Sequence, residues 1–346
     1  MLKRSDGRWQ EKITLPGMKK PKYFYGKTQK EVKQKMVAWT EEKEKGKLFS
    51  SCLDAWMEDH EKMCAYNTMK AYHAPLNRLR EQFGDREVND ITADEVNAYV
   101  RKLANRGYAQ RTVVIEFACL NMIFDNAIVN GYASVNPCGP VKLPSGMPKA
   151  KREMPTEEQI EAVKNGVHAP FGLFPYMLLY TGMRKGELLA LRWEDIDFEA
   201  GLIEVSKSVY HVGNNPQIKA PKTEAGKRSV ILLDALREVL TEPGTGYIFG
   251  GERPLKDYEF RVRWAEWSKA VGLHKGGLNA EITPHQLRHA YATILYDAGV
   301  GDADAMHLMG HSSIKVTREV YTHIRKERME QTAARINKYL QGETDR

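Results

Sequence analysis

The sequence predicts a multidomain, mainly α-helical protein. A small N-terminal β-β-α-type module leads into a helical domain, and an α-rich C-terminal domain with a small antiparallel sheet follows. Three observations predict this. The 346 residues exceed one ordinary core and suit two or three domains. Apolar residues recur at helical spacing through most of the chain, whereas strand-like runs cluster in two short regions. Between two helical regions lies "NPCGPVKLPSGMPKAKREMP", whose five prolines stop helices and favour an extended linker. The expected boundaries are 1–47 for the first module, 48–137 for the helical domain, 138–154 for the linker and 155–346 for the C-terminal domain.

Each element has a local reason. "RWQEKITLP" and "KPKYFYG" are strand-like runs separated by a Pro-Gly turn, and "TQKEVKQKMVAWTEEKEKGK" spaces Val32, Met36 and Trp39 helically. "SSCLDAWMEDHEKM" and "NTMKAYHAPLNRLREQFG" are amphipathic helices. "TADEVNAYVRKLANRG" opens with a capping box, Thr92 with Glu95, and "AQRTVVIEFACLNMIFDNAIVNG" is a longer, largely buried helix. After the linker, "TEEQIEAVKN" carries a second capping box, Thr156 with Gln159. "LIEVSKSVYH", "PQIKAPKTEAG" and "KRSVILL" are the strand candidates, and the remainder is mainly helical.

Composition narrows the class. Hydrophobic residues make up 42% and charged residues 28%, as in soluble globular proteins. No run approaches the ~18 uninterrupted apolar residues of a membrane span. "MLKRSDGRWQEK" contains no secretory apolar segment. Cys52, Cys64, Cys119 and Cys138 show no close pairing, which predicts reduced structural thiols in a cytoplasmic protein without a metal site. The formal charge is +7, and it is unevenly placed. Residues 1–47 hold 14 Lys/Arg against 6 Asp/Glu, and the remaining 299 hold 38 against 39. A basic N-terminal module suits a polyanion, because neutralised phosphates release counterions. A solvated basic tail is the ordinary alternative.

Single candidates for chemistry are weak. "TGMRKGELLALRW" places Arg184 at a helix start, against the dipole. "PKTEAGKRSV" places Lys222 near a hairpin tip. "TPHQLRHAYAT" puts His285, Arg288 and His289 at i, i+3 and i+4 at the start of a helix, a cationic cluster that an anion would relieve. "LMGHSS" carries His311 after a glycine turn, and "EVYTHIRKERM" holds Tyr321.

Taken in order, "TGMRKGEL", "PKT…GKR", "HQLRH", "LMGHSS" and "VYTH" resemble the active-site series of the tyrosine recombinase (phage integrase) family. The resemblance covers residues from about 155 to 340. The helical domain looks like that family's core-binding domain. The N-terminal module looks like the arm-binding domain of integrases from phages and conjugative transposons. The resemblance implies site-specific DNA cutting and rejoining through a 3′-phosphotyrosine and a Holliday junction, for integration or excision of a mobile element, without a cofactor.

A phenol with a pKa near 10 is ionised to only about one part in a thousand at pH 7, so Tyr321 needs activation. Arg184 and Arg288 suit a clamp on the non-bridging phosphate oxygens, since guanidinium stays charged and offers a planar fork. The resemblance implies a general acid in Lys222, a base or its helper in His285, and a phosphate donor in His311. Glu187 would orient its neighbours. Expected DNA contacts are Lys19, Lys20, Lys22, Arg111, Lys149, Lys151 and Arg152. The implied partners are double-stranded DNA at core and arm sites, a tetramer of the chain docked through "RKERMEQTAARINKYLQ", and a host DNA-bending or excision factor. No membrane partner is expected. The rival readings are a type IB topoisomerase and a catalytically silent DNA-binding protein on the same fold.

Overall fold

The computed structural model describes residues 1–13, 21–44, 47–149, 154–221, 226–241 and 244–340, with several side chains in 40–44 and 323–340 outside that description. The chain divides into two compact units, Met1–Lys151 and Arg152–Arg346.

The first unit begins with strands β1 (Leu2–Lys3), β2 (Trp9–Ile13) and β3 (Lys22–Gly26), an antiparallel sheet in that order, followed by helix α1 (Gln29–Glu44). One strand is added to the two the sequence predicted. Strand side chains alternate between faces. Phe24 is therefore buried and meets Trp39 of α1 edge-on at 5.5 Å. Tyr23, paired with Lys12, and Tyr25, paired with Gln10, lie on the opposite face and are exposed.

Helices α2 (Phe49–Met63), α3 (Tyr66–Phe83), α4 (Ala93–Asn105) and α5 (Gln110–Val129) form a separate core. The Thr92–Glu95 capping box forms as expected. Helix α5 is long and apolar because it is the central helix, burying Val113, Leu120, Ile123, Phe124 and Ala127. Burying each of the four larger ones, Val113, Leu120, Ile123 and Phe124, contributes about 1.5–3 kcal/mol. Glu116, fully buried on the same helix, is satisfied by Arg78 Nε at 2.8 Å and by the Tyr99 hydroxyl.

The proline-rich stretch differs from the expected extended linker. Cys138 and Met147 are buried in this helical core, Val141 and Leu143 pack against it, and the unit continues to Lys151. Proline forbids helix there, but the apolar residues between the prolines still leave water.

The second unit contains α6 (Glu157–Asn165), α7 (Leu173–Thr181), α8 (Lys185–Leu189), β4 (Ile196–Asp197), β5 (Leu202–Val205), the hairpin β6 (Ser208–Val212) with β7 (Asn215–Lys219), and β8 (Arg228–Ile231). Then come α9 (Asp234–Arg237), α10 (Asp257–Ala270), β9 (His274–Gly276), β10 (Asn279–Ala280), α11 (Pro284–Asp297), α12 (Asp302–Met309) and α13 (Ile314–Leu340). The Thr156–Gln159 capping box opens α6. Where one antiparallel sheet was expected, the described residues form three small ones: β4-β5-β8, β6-β7 and β9-β10. The break at Ser206–Lys207 ends one ladder and begins the next. Phe174, Phe249, Phe260 and Trp264 interlock in the core, Phe174 meeting Phe249 at 4.8 Å.

Candidate functional site

Two tight turns build the site in the second unit. Helix α7 ends at Gly182, whose φ of +59° favours glycine, and a Cβ there would lie 2.2 Å from the Tyr291 ring of α11. The chain reverses into Arg184, which precedes α8. Its positive charge opposes the helix dipole, and Glu187 resolves that conflict. The Glu187 carboxylate accepts the Arg184 backbone N–H at 2.8 Å and Arg184 Nη1 at 2.6 Å.

The second turn closes α12 at Gly310, with φ +60°. The last carbonyls of a helix lack intrahelical partners and carry its negative end. Here three consecutive ones each meet a different arginine. The Leu308 carbonyl accepts from Arg228 Nε at 3.0 Å, Met309 from Arg288 Nη2, and Gly310 from Arg184 Nη2 at 2.8 Å. Arg228 Nη2 also donates to Glu187 at 2.9 Å, and Arg288 Nη1 to the Gly182 carbonyl at 2.6 Å. Arg288 and Arg228 are buried, whereas the Arg184 side chain remains 47% exposed.

This crowd of cations sets the local titrations. Burial pushes Arg288 down, with Arg184 adding to the effect, to about 9, so it stays a cation at neutral pH. Burial alone would raise Glu187, but its bonds to Arg228 and Arg184 outweigh that and hold the carboxyl below its ordinary value. His311 is pushed down to about 4, first by burial and then by Arg288, Arg184, His289 and Arg228. Its Nδ1 lies 3.0 Å from the Thr317 hydroxyl of α13.

Four of the expected residues therefore come together: Arg184, Glu187, Arg288 and His311. On α11 the cationic cluster splits. Arg288 turns inward, while His285 is exposed and pairs with His289 at 3.2 Å between their Nε2 atoms. Tyr321 is half-buried against Tyr296, and its hydroxyl donates to the Val300 carbonyl at 3.3 Å. Burial, then Asp302, raises its pKa, the reverse of an activated phenol. Lys222, Lys19, Lys20, Lys151 and Arg152 lie outside the described residues. Lys22 is exposed on β3, Arg111 on the first turn of α5, and Lys149 near the end of the first unit.

Sequence reasoning passed over Arg228. Its signal was present, because Arg228 and Val230 on β8 and Leu232 just beyond it alternate in sequence and all three are buried. Thr317, also buried, carried no such signal.

The chain matches the Phage integrase family model over residues 160–328 and the Phage integrase central domain model over 49–143. It is 28% identical to a "Tyrosine recombinase XerC-like" protein of Caldanaerobacter subterraneus subsp. tengcongensis over 348 residues, 88% of each chain. Its fold resembles the Tn1549 transposon integrase in complex with transposon right end DNA, with TM-score 0.66, 20% identity, and coverage of 83% of this chain and 100% of that one. It also resembles a lambda integrase tetramer bound to a Holliday junction, with TM-score 0.60, 20% identity, and coverage of 92% and 93%. With its arginines, glutamate and histidine converging around two glycine turns, the chain belongs to the phage integrase family and is a tyrosine site-specific recombinase.

Proposed function

We propose that this recombinase moves a mobile element into and out of bacterial DNA, with Tyr321 as the nucleophile. The observation that carries the reading is the cluster of Arg184, Arg288 and His311. Residues 127 positions apart in sequence bring cationic and neutral donors to one place, as a phosphate requires. Each arginine is oriented by two bonds and keeps further N–H groups for the two non-bridging oxygens. A neutral His311 that accepts the Thr317 hydroxyl at Nδ1 carries its proton on Nε2, free to donate.

In the cleavage step the Tyr321 phenol oxygen forms a bond to phosphorus, and the bond from phosphorus to the 5′ oxygen breaks. The phenol proton passes to a base, for which His285 is the candidate. The departing 5′ oxygen takes a proton, for which Lys222 is the candidate. Attack by a 5′ hydroxyl of the partner strand reverses these steps, so the phosphodiester energy is conserved. Tyr321 must first leave the Val300 carbonyl, which makes its release part of activation.

Two surfaces support DNA-bound assembly. In the N-terminal sheet, the face away from α1 carries Tyr23, Tyr25 and Lys12, with Arg4 lying 5.4 Å over the Tyr25 ring. Cations interleaved with aromatics suit an arm-type DNA site. At the other end, Met329 of α13 is 68% exposed and Ala333 is exposed, so the described half of the apolar stripe is not covered by its own unit. A groove of about 930 Å³ in the second unit is lined by Leu179, Ile294 and Ile324 and by the carboxylates Glu157, Glu161 and Asp297. It suits the C-terminal segment of a neighbouring copy, "ARINKYL", whose Arg335 and Lys338 complement those acids. Such docking would build a tetramer of the kind the lambda integrase neighbour forms.

The test uses a nicked duplex carrying the sequence that the protein selects from a randomised pool. Wild type should form a covalent, denaturant-resistant complex, and Tyr321→Phe should form none. A complex that survives Tyr321→Phe would remove Tyr321 as nucleophile.

A further inference from the structure

Arg228 sits on β8, outside the residues that meet the phosphate in this reading, yet it contacts three parts of the site. Its side chain is 0% exposed. Nη2 reaches Glu187 Oε2 at 2.9 Å, and Nε reaches the Leu308 carbonyl at 3.0 Å. Nη1 occupies the space that a Cβ on Gly310 would need, 2.7 Å from where that atom would stand. We propose that Arg228 is a positioning residue for strand cleavage: it holds Glu187 and the end of α12 in one register, so that Arg184 and His311 address the same phosphate. The inference rests on the recombinase reading above.

The argument is geometric. Glu187 Oε1 accepts from Arg184 Nη1, and Oε2 is shared between the Arg184 backbone N–H at 2.8 Å and Arg228 Nη2 at 2.9 Å. With Oε2 held between the Arg184 backbone and a fully buried guanidinium, the carboxylate plane is set from two sides, and the Arg184 side chain takes its orientation from it. Gly310 completes the loop, because its carbonyl accepts from Arg184 while its bare Cα packs against Arg228. His311 is the next residue, so the same lock fixes where its ring begins. A planar fork can hold a carboxylate and a carbonyl at a set angle, whereas an ammonium is a single point with rotating donors. Stability alone does not require this arrangement, since a well-packed apolar pair commonly replaces a buried ion pair at no loss. Reaction rate is more sensitive, because a misplacement of about 1 Å can cost about 10²-fold.

The test is single-turnover cleavage of the selected nicked duplex by the full chain. Wild-type complex formation tests the recombinase reading, and the role of Arg228 is read only as each variant's ratio to wild type. Arg228→Lys keeps the charge and loses the fork. Gly310→Ala keeps both charges and drives a methyl onto Nη1. Both should bind the duplex within about threefold of wild type, melt cooperatively, and cleave about 10²-fold more slowly. If Arg228→Lys does not fold, Gly310→Ala decides. A folded variant that cleaves within about threefold of wild type overturns the proposal. So does a loss of DNA binding that matches the loss of cleavage, which would assign Arg228 to stability alone.

Discussion

Arg288 Nη1 donates to the Gly182 carbonyl at 2.6 Å, joining residues 106 positions apart. The bond ties the arginine of α11 to the turn that launches Arg184, so one clamp arm is held by the base of the other. Arg288→Lys should cut single-turnover cleavage by about 10²–10³ while DNA binding changes little. Arg288→Ala should also lower stability in urea unfolding, by about 1–3 kcal/mol for each carbonyl left unpaired. A lysine variant cleaving at the wild-type rate would contradict the clamp.

His311 makes stability depend on pH. Its folded pKa, about 4, lies below the ordinary value of 6.5. The unfolded chain therefore binds the extra proton first as pH falls, and stability rises with pH across that window. The contribution is present above about pH 6.5 and is lost as pH falls towards 4. Between pH 7.5 and 5, wild type should lose more unfolding free energy than His311→Gln. Parallel losses in the two proteins would show that His311 is not held neutral by its surroundings.

Lys219, Lys222 and Lys227 can be separated chemically: β7 pairs with β6 and β8 with β5, so the stretch joining β7 to β8 is a connection between two sheets and not the expected hairpin. Lys219 lies on β7 with its Nζ 5.1 Å over the Tyr210 ring, a structural occupation. Lys222→Ala should slow cleavage by about 10²–10⁴, the usual worth of a general acid, and Lys219→Ala and Lys227→Ala should have small effects. A duplex with sulfur replacing the 5′ leaving oxygen needs no proton at that atom, so it should restore the rate of Lys222→Ala. Failure of the sulfur substrate to rescue would exclude the acid role.

Deleting residues from 330 onward should leave binding to a single half-site near wild type and weaken assembly of higher complexes and recombination. Sedimentation of the protein with half-site and full-site duplexes distinguishes the two. Intact recombination by the truncated chain would mean that α13 is not the tether between protomers.

By itself the sequence determined the helices, because their signals are local. The Thr92 and Thr156 boxes, the apolar spacing of α5 and the glycine ends all act within a few residues. It also determined the family, through motifs whose order needs no coordinates. Only the tertiary structure decided which way the chemical groups face. Periodicity could place Arg288 and its histidines on one helix but not send the arginine inward and His285 out. It could offer Tyr321 as nucleophile but not reveal the Val300 carbonyl that holds the hydroxyl. It could not single out Arg228, whose role depends on α12 arriving 80 residues later with end carbonyls that lack partners within the helix. The physical reason is common to all three. A side chain's partner is set by the helix end or turn that packs against it, and those lie far beyond the range of local propensity.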